Sequence, residues 1–266
     1  MSIKKVAILI CTIAMASVYA DYETLNLFGS IGVGFGMGGQ ESLNGNRFQS
    51  SETNDGNTTV KDHFFNYGNG MKFNLGCQYF IMEDLALQPS FSYSAGIPIF
   101  KTVTSTSAIG SDINITEKQK FHLFGIKVQL VPRFELLDLI DMYTGVGFGF
   151  FWNSRRFEIK SEIDNAGGLV TTEAEGKISS KPTFGFTGML GGDYPLNDRL
   201  TLFGELAFEQ VRFNLKKFTV SKSSIPTLST GTTYYSKNDN NSDNLDPEKV
   251  PGSSFQIRVG VRFALN

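Results

Sequence analysis

The chain has two histidines, His63 and His122. Either could act as the base of a hydrolase if a serine or an acid stood beside it to take up or orient the proton. Neither has a recognisable triad partner nearby in sequence, so His122 reads as a residue at the end of a strand and not as a catalytic group. In the stretch 239–243, Asp239, Asn241 and Asp243 have the spacing that opens a calcium loop. Asn244 stands where glycine makes the turn of such a loop, and Val250 where a bidentate glutamate closes it, so a polar loop without metal is the better reading. Cys11 and Cys77 are the two cysteines. If Cys11 leaves with a signal segment, Cys77 is alone, and neither an intramolecular disulfide nor a thiolate metal cage can form. No cofactor and no metal are expected. The remaining chemistry lies in charges spaced four apart: Glu205 and Glu209 in one stretch, Arg258 and Arg262 in another.

The elements that must position those charges are strands. In residues 254–266, Phe255, Ile257, Val259, Val261, Phe263 and Leu265 alternate with Gln256, Arg258, Gly260, Arg262 and Ala264. Such period-two alternation marks a strand with one apolar and one wet face. The same pattern predicts strands at 25–37, 71–81, 85–95, 122–134, 142–152, 182–192 and from 200 onward, eight in all. Pro89 is expected to mark a bulge. The connections run long, short, long, short, long, short, long, and the third long one, 153–180, reads as a hairpin that extends beyond the membrane and turns over Asn165 to Gly168. On the face opposite the large apolar residues lie glycine, serine and charge, too small and wet for the core of a soluble sandwich. The fold class is therefore all-β: a membrane-spanning, antiparallel, up-and-down β-barrel of eight strands, with short turns at one end and long loops at the other. Ten strands are reached if one long connection holds a membrane hairpin.

Residues 1–20 read as a cleaved signal peptide. Lys4 and Lys5 precede an apolar run over 6–16, and Val18, Tyr19 and Ala20 form a small-residue cleavage site. That run is shorter than the ~20 residues a spanning helix needs. The expected mature domain is 21–266, with 22 basic against 26 acidic side chains and a net charge of −4. That balance carries no nucleic-acid footprint. A mean hydropathy of −0.10 is compatible with a barrel, because only alternate residues meet lipid.

The last strand resembles the carboxy-terminal strand of bacterial outer-membrane barrels. Arg258, Gly260, Phe263 and Leu265 match that family's assembly signal in spacing and type, although Asn266, not an aromatic, is last. The whole expected mature chain resembles the small eight-stranded barrels of the OmpA, OmpX and OmpW kind, without a periplasmic domain. The resemblance implies a bacterial outer-membrane location with both termini periplasmic. It also implies contact with outer-membrane lipid and lipopolysaccharide, and with the barrel assembly machinery. Tyr93, Phe150 and Trp152 on the loop side, and Phe134 and Phe263 on the turn side, fit two aromatic girdles. Arg155, Arg156, Lys181, Lys216 and Lys217 fall just beyond the loop-side rim. They either meet lipopolysaccharide phosphates or are solvated loop charge. Some relatives are lipid-modifying enzymes or proteases, but no triad supports that activity here.

Inside the barrel, aligning the turn-side ends of the last two strands pairs Glu205 with Arg262 and Glu209 with Arg258, each pair summing to 467. Lys72, Lys127, Arg133 and Asp193 share the inward parity and are expected to join the network, with partners unassigned. The inward glycines leave space for inward aromatics (Phe28, Phe80, Phe121, Phe151, Phe203) or for water. A filled interior makes a non-enzymatic structural or surface-interaction protein that works through its loops. An open one makes a narrow porin-like channel for small or hydrophobic solutes.

Overall fold

The computed structural model describes residues 25–37, 42–43, 46–47, 49–54, 57–62, 66–106, 112–137, 140–165, 168–225, 230–234 and 249–265. The expected signal segment, His63 and the calcium-like stretch 239–243 lie outside the described residues.

Eight strands form a closed antiparallel ring: β1 (Leu25–Gly36), β2 (Gly70–Met82), β3 (Leu85–Ala95), β4 (Asp112–Leu137), β5 (Ile140–Asn165), β6 (Thr183–Pro195), β7 (Leu200–Gln210) and β8 (Ser254–Ala264). Each pairs with the next, and β8 returns to β1 from Asn26↔Ala264 to Gly36↔Ser254. Closure leaves no open edge in the spanning wall, the condition for a sheet in lipid. No other strand enters this ring among the described residues, so the ring has eight members and not ten.

Parity decides what each face carries. Outward and exposed are Leu27, Ile31, Val33 and Phe35 on β1, Phe148 and Phe150 on β5, and Phe255, Ile257, Val259, Val261 and Phe263 on β8. An apolar surface continuous around the whole ring is far beyond what a water-soluble protein exposes. It is the surface of a membrane barrel. The turn end is tight. Between β6 and β7 the Asn197 side chain accepts hydrogen bonds from the Arg199 and Leu200 amides, at 3.0 and 2.9 Å, and the Leu196 and Asn197 amides donate to the Leu200 carbonyl, at 2.8 and 3.2 Å, to close the turn.

Three local expectations change. Pro89 causes no register shift: it lies opposite Val128 in an unbroken β3–β4 ladder, and the irregularity in β2–β3 falls at Phe80/Met82. Strands β4 and β5 are each 26 residues long, against the 122–134 and 142–152 expected, and stay paired as far as Asp164↔Asp112. A membrane strand needs only ~9–11 residues, so their far halves stand clear of the lipid. The connections read as polar loops also carry strands. Ile99–Thr106 pairs with β4, and Arg212–Ser223 joins Gly168–Ser180. The hairpin expected over 153–180 is present: Gly168–Ser180 folds back on β5 through Asn165↔Gly168. This sheet beyond the rim has its own apolar core, with Tyr67, Phe121, Phe157, Ile178, Phe213, Leu215, Val220 and Val250 buried together. Tyr67 meets Phe121 and Phe213 edge-on, at 5.8 and 5.6 Å between ring centroids.

Candidate functional site

The interior of the ring is where charge, burial and closure coincide. Glu205 and Glu209 from β7, Arg258 and Arg262 from β8, Lys72 from β2, Lys127 from β4 and Asp193 from β6 are all buried, with Arg133 of β4 partly open at the turn end. Their arrangement differs from simple stacked pairs. The β7–β8 ladder sets Glu205 opposite Arg258 and Leu200 opposite Phe263, a register sum of 463 instead of 467. Strands of a closed barrel are staggered by its shear, so their ends do not lie level. The slip is an even number of residues, and every side chain therefore keeps its face.

Each carboxylate holds two cations. Glu205 takes Arg258 at 2.8 Å and Arg262 at 3.5 Å. Asp193 binds Arg133 at 2.5 Å and also Arg262. Glu209 meets Lys127 at 3.0 Å and Lys72 at 4.0 Å. Glu205 and Arg262 thus come together diagonally, whereas Glu209 and Arg258 do not form a pair. Tyr143 donates its hydroxyl to Glu205 at 3.0 Å, and Lys127 donates to Asn74 at 3.0 Å. The Arg262 guanidinium lies 4.2 Å from the Phe203 ring centroid and 4.4 Å from that of Tyr143. Two π faces offset part of its loss of water. Buried charge survives only when paired and hydrogen-bonded, which accounts for the sharing.

Aromatic rings fill the space left by inward glycines. Phe203 sits against Gly260, Phe28 against Gly76, Tyr143 against Gly191, and Phe151 in a hollow made by Gly125, Gly149 and Gly185. In each place a Cβ would strike the ring. Phe80 packs on the turn-side cluster of Ala86, Val131, Tyr143, Met189 and Ala207, while Phe121 belongs to the loop-side core. The charges are thus packed among apolar side chains, with Ala207 between Glu205 and Glu209 on β7 and Val131 between Lys127 and Arg133 on β4.

Sequence parity left Tyr143 and the sharing of Asp193 unassigned. The tight turn 196–199 holds the signal for Asp193: it fixes Asp193 opposite Phe203, diagonal to Glu205 and so within reach of Arg262. Outside the barrel, Tyr93, Phe134, Phe150, Trp152 and Phe263 all take the lipid-facing parity. Tyr93 stacks on Phe73 and His122, and Trp152 on Phe124. His122 Nδ1 lies 2.8 Å from the Tyr93 hydroxyl, and the two rings form an outward stacked pair. Of the rim cations, Arg155 is a correction. It is 2% exposed and points into the loop-side core, 5.7 Å from the Phe121 centroid, because 151, 153 and 155 share the inward parity. Arg156 faces out, directly opposite Lys120 and Lys177 on its two neighbours. Lys181, Lys216 and Lys217 are exposed. Of the terminal residues, Arg258 is inward and ion-paired, Gly260 lies opposite Ser30 and Phe203, and Phe263 is outward. The Leu265 amide bonds the Leu25 carbonyl at 3.0 Å. No group of three or more His, Cys, Asp or Glu that could hold a metal occurs among the described residues.

No family model matches the chain, and no curated protein does either. Solved structures similar to it include Neisserial surface protein A, at TM-score 0.40 and 10% identity, covering 91% of this chain and 97% of that one. Ail, the attachment invasion locus protein of Yersinia pestis, is similar at TM-score 0.33 and 14% identity over 91% and 99%. The outer membrane protein AlkL is similar at TM-score 0.37 and 13% identity over 92% of both chains. On its closed ring, its lipid-type outer face and its polar interior, this chain has the fold of the small eight-stranded outer-membrane barrels.

Proposed function

We propose that this protein is a non-enzymatic component of a bacterial outer membrane, with both termini on the periplasmic side. Its barrel is a plug and anchor, and the sheet beyond the rim is the part that meets other molecules. The observation that carries this reading is the interior: three shared carboxylates and their cations are packed among apolar side chains, with the glycine hollows occupied by rings. A rigid extramembrane sheet with its own buried aromatic core supports a surface role, since it presents a fixed face instead of loose loops. Removal of residues 1–20, targeting by Arg258, Gly260, Phe263 and Leu265 to the assembly machinery, and anchoring by the aromatic girdles complete the proposal. Arg156, set between Lys120 and Lys177 in the ladders, favours lipopolysaccharide as a partner: like charges directly opposite repel, and the Glu158 carboxylate that pairs with Lys120 at 3.4 Å offsets only part of the three positive charges.

Refolded protein in a planar bilayer tests the plug. Silence from a heat-modifiable, folded sample is the expected result, and steady conductance steps would overturn it. A narrow channel is the second reading, favoured by buried polar atoms without a hydrogen bond: Lys72 Nζ, Thr187 Oγ1, Gln256 Oε1 and Arg258 Nε. Hydrated, these would line a thread of water. A channel would show steps that change when Glu205 and Glu209 are both replaced by alanine.

A further inference from the structure

On the outside of the barrel, where β6, β7 and β8 reach the loop side, the wall steps inward to leave a cleft of about 710 Å³. Its cause is local. The Ser253 hydroxyl, instead of pointing out, accepts from the Val211 amide at 3.0 Å and donates to the Val211 carbonyl at 3.1 Å. The outer surface therefore dips between Phe186 on one flank and Met37 on the other, with Gln210 and Ser253 between them. Phe184 and Phe186 meet edge-on at 5.3 Å, and Phe184 also packs on Phe148 and Phe150 of β5.

The cleft has a polarity along the barrel axis. On its membrane side, directly opposite one another in the ladders, lie Phe208, Phe255 and Phe35, all exposed. On its loop side stand Arg212 and Lys249, both exposed and neither in an ion pair among the described residues. No acidic residue lines it. A phenylalanine floor running into the lipid, with unpaired cations at the water side, has the same axis as a phospholipid: acyl chains one way, phosphate the other.

We propose that this cleft seats an anionic lipid of the leaflet on the loop side, with its phosphate between Arg212 and Lys249 and its acyl chains over Phe186, Met37 and the row of Phe208, Phe255 and Phe35. The inference rests on the membrane reading above and names a site for lipid distinct from the opposed cations on β4 and β5. Phosphate free in water would gain nothing from the aromatic floor.

The test uses the full chain refolded into phosphatidylcholine vesicles containing a minor share of phosphatidic acid, gently extracted, with co-purifying lipid counted by native mass spectrometry. Phosphatidic acid is expected to be retained about tenfold above its share of the membrane, the effect of one charge-assisted contact. Arg212→Gln with Lys249→Gln is expected to abolish that excess. Phe184→Ala with Phe186→Ala is expected to lower retention of phosphatidic acid and phosphatidylcholine alike. Lys160→Gln with Lys222→Gln, two exposed loop cations away from the cleft, is expected to change nothing. Undiminished enrichment in the Arg212, Lys249 variant overturns the proposal, as does displacement of the lipid by inorganic phosphate. Heat-dependent gel mobility separates the two levels of failure. A chain that never inserts into the vesicles overturns the membrane reading, whereas insertion without enrichment overturns only the cleft.

Discussion

Glu205 and Arg258 face each other directly across the β7–β8 ladder and meet at 2.8 Å, while the second oxygen of Glu205 takes Arg262 from two rows nearer the turns. One carboxylate thereby links two arginines on one face of one strand. A slip of the register would unmake both contacts together.

Glu205→Gln should therefore be among the most damaging single changes in the interior. It leaves two buried guanidinium groups short of charge, and removing one partner of a buried pair costs about 3–5 kcal/mol. Denaturant unfolding of the refolded barrel measures this. A double-mutant cycle should give coupling of about 1 kcal/mol or more for Glu205 with Arg258, and much less for Glu209 with Arg258.

The register itself can be trapped chemically. With Cys77→Ser to remove the native thiol, Leu206→Cys with Ile257→Cys should crosslink on oxidation in folded protein, since these residues are direct partners. Leu206→Cys with Val261→Cys, the pair a sum of 467 would bring together, should not, because four residues displace them by ~13 Å. Non-reducing gels distinguish the two.

Two glycines on neighbouring strands should respond oppositely to a methyl group. At Gly260 a Cβ would meet the Gly29 carbonyl, the Phe203 ring and Ser30, so Gly260→Ala should destabilise the barrel by about 1–3 kcal/mol. At Gly204 a Cβ would have no neighbour within 4 Å, and Gly204→Ala should be neutral or slightly stabilising. Unfolding midpoints of the two variants give the comparison.

The extramembrane sheet should open without the barrel opening. Phe213 is fully buried in the loop-side core, and Phe213→Ala should cost about 3–5 kcal/mol locally. The variant should keep its heat-modifiable barrel yet be cut by trypsin at Lys216 and Lys217, where wild type resists.

The face taken by nearly every spanning residue was legible in the sequence, from Leu27 outward and Phe28 inward on β1 to Phe263 outward and Arg262 inward on β8. Successive side chains of any extended strand point to opposite sides whatever the strand pairs with, so parity is a local property. The apolar band, the number of strands in the ring and the inward position of the charges follow from it. The sheet beyond the rim was only half legible. Phe213 and Leu215 alternate as clearly as membrane residues do, but the polar residues that run on from 214 to 252 make the stretch read as a connection, and only the packed partners Tyr67 and Phe121 make it a core. Which charges meet was decided by tertiary structure alone. Glu205 opposite Arg258, Glu209 with Lys127, and Arg262 between two rings all depend on how far each strand is staggered when the ring closes. That stagger is a property of all eight strands together, and no single strand's sequence contains it.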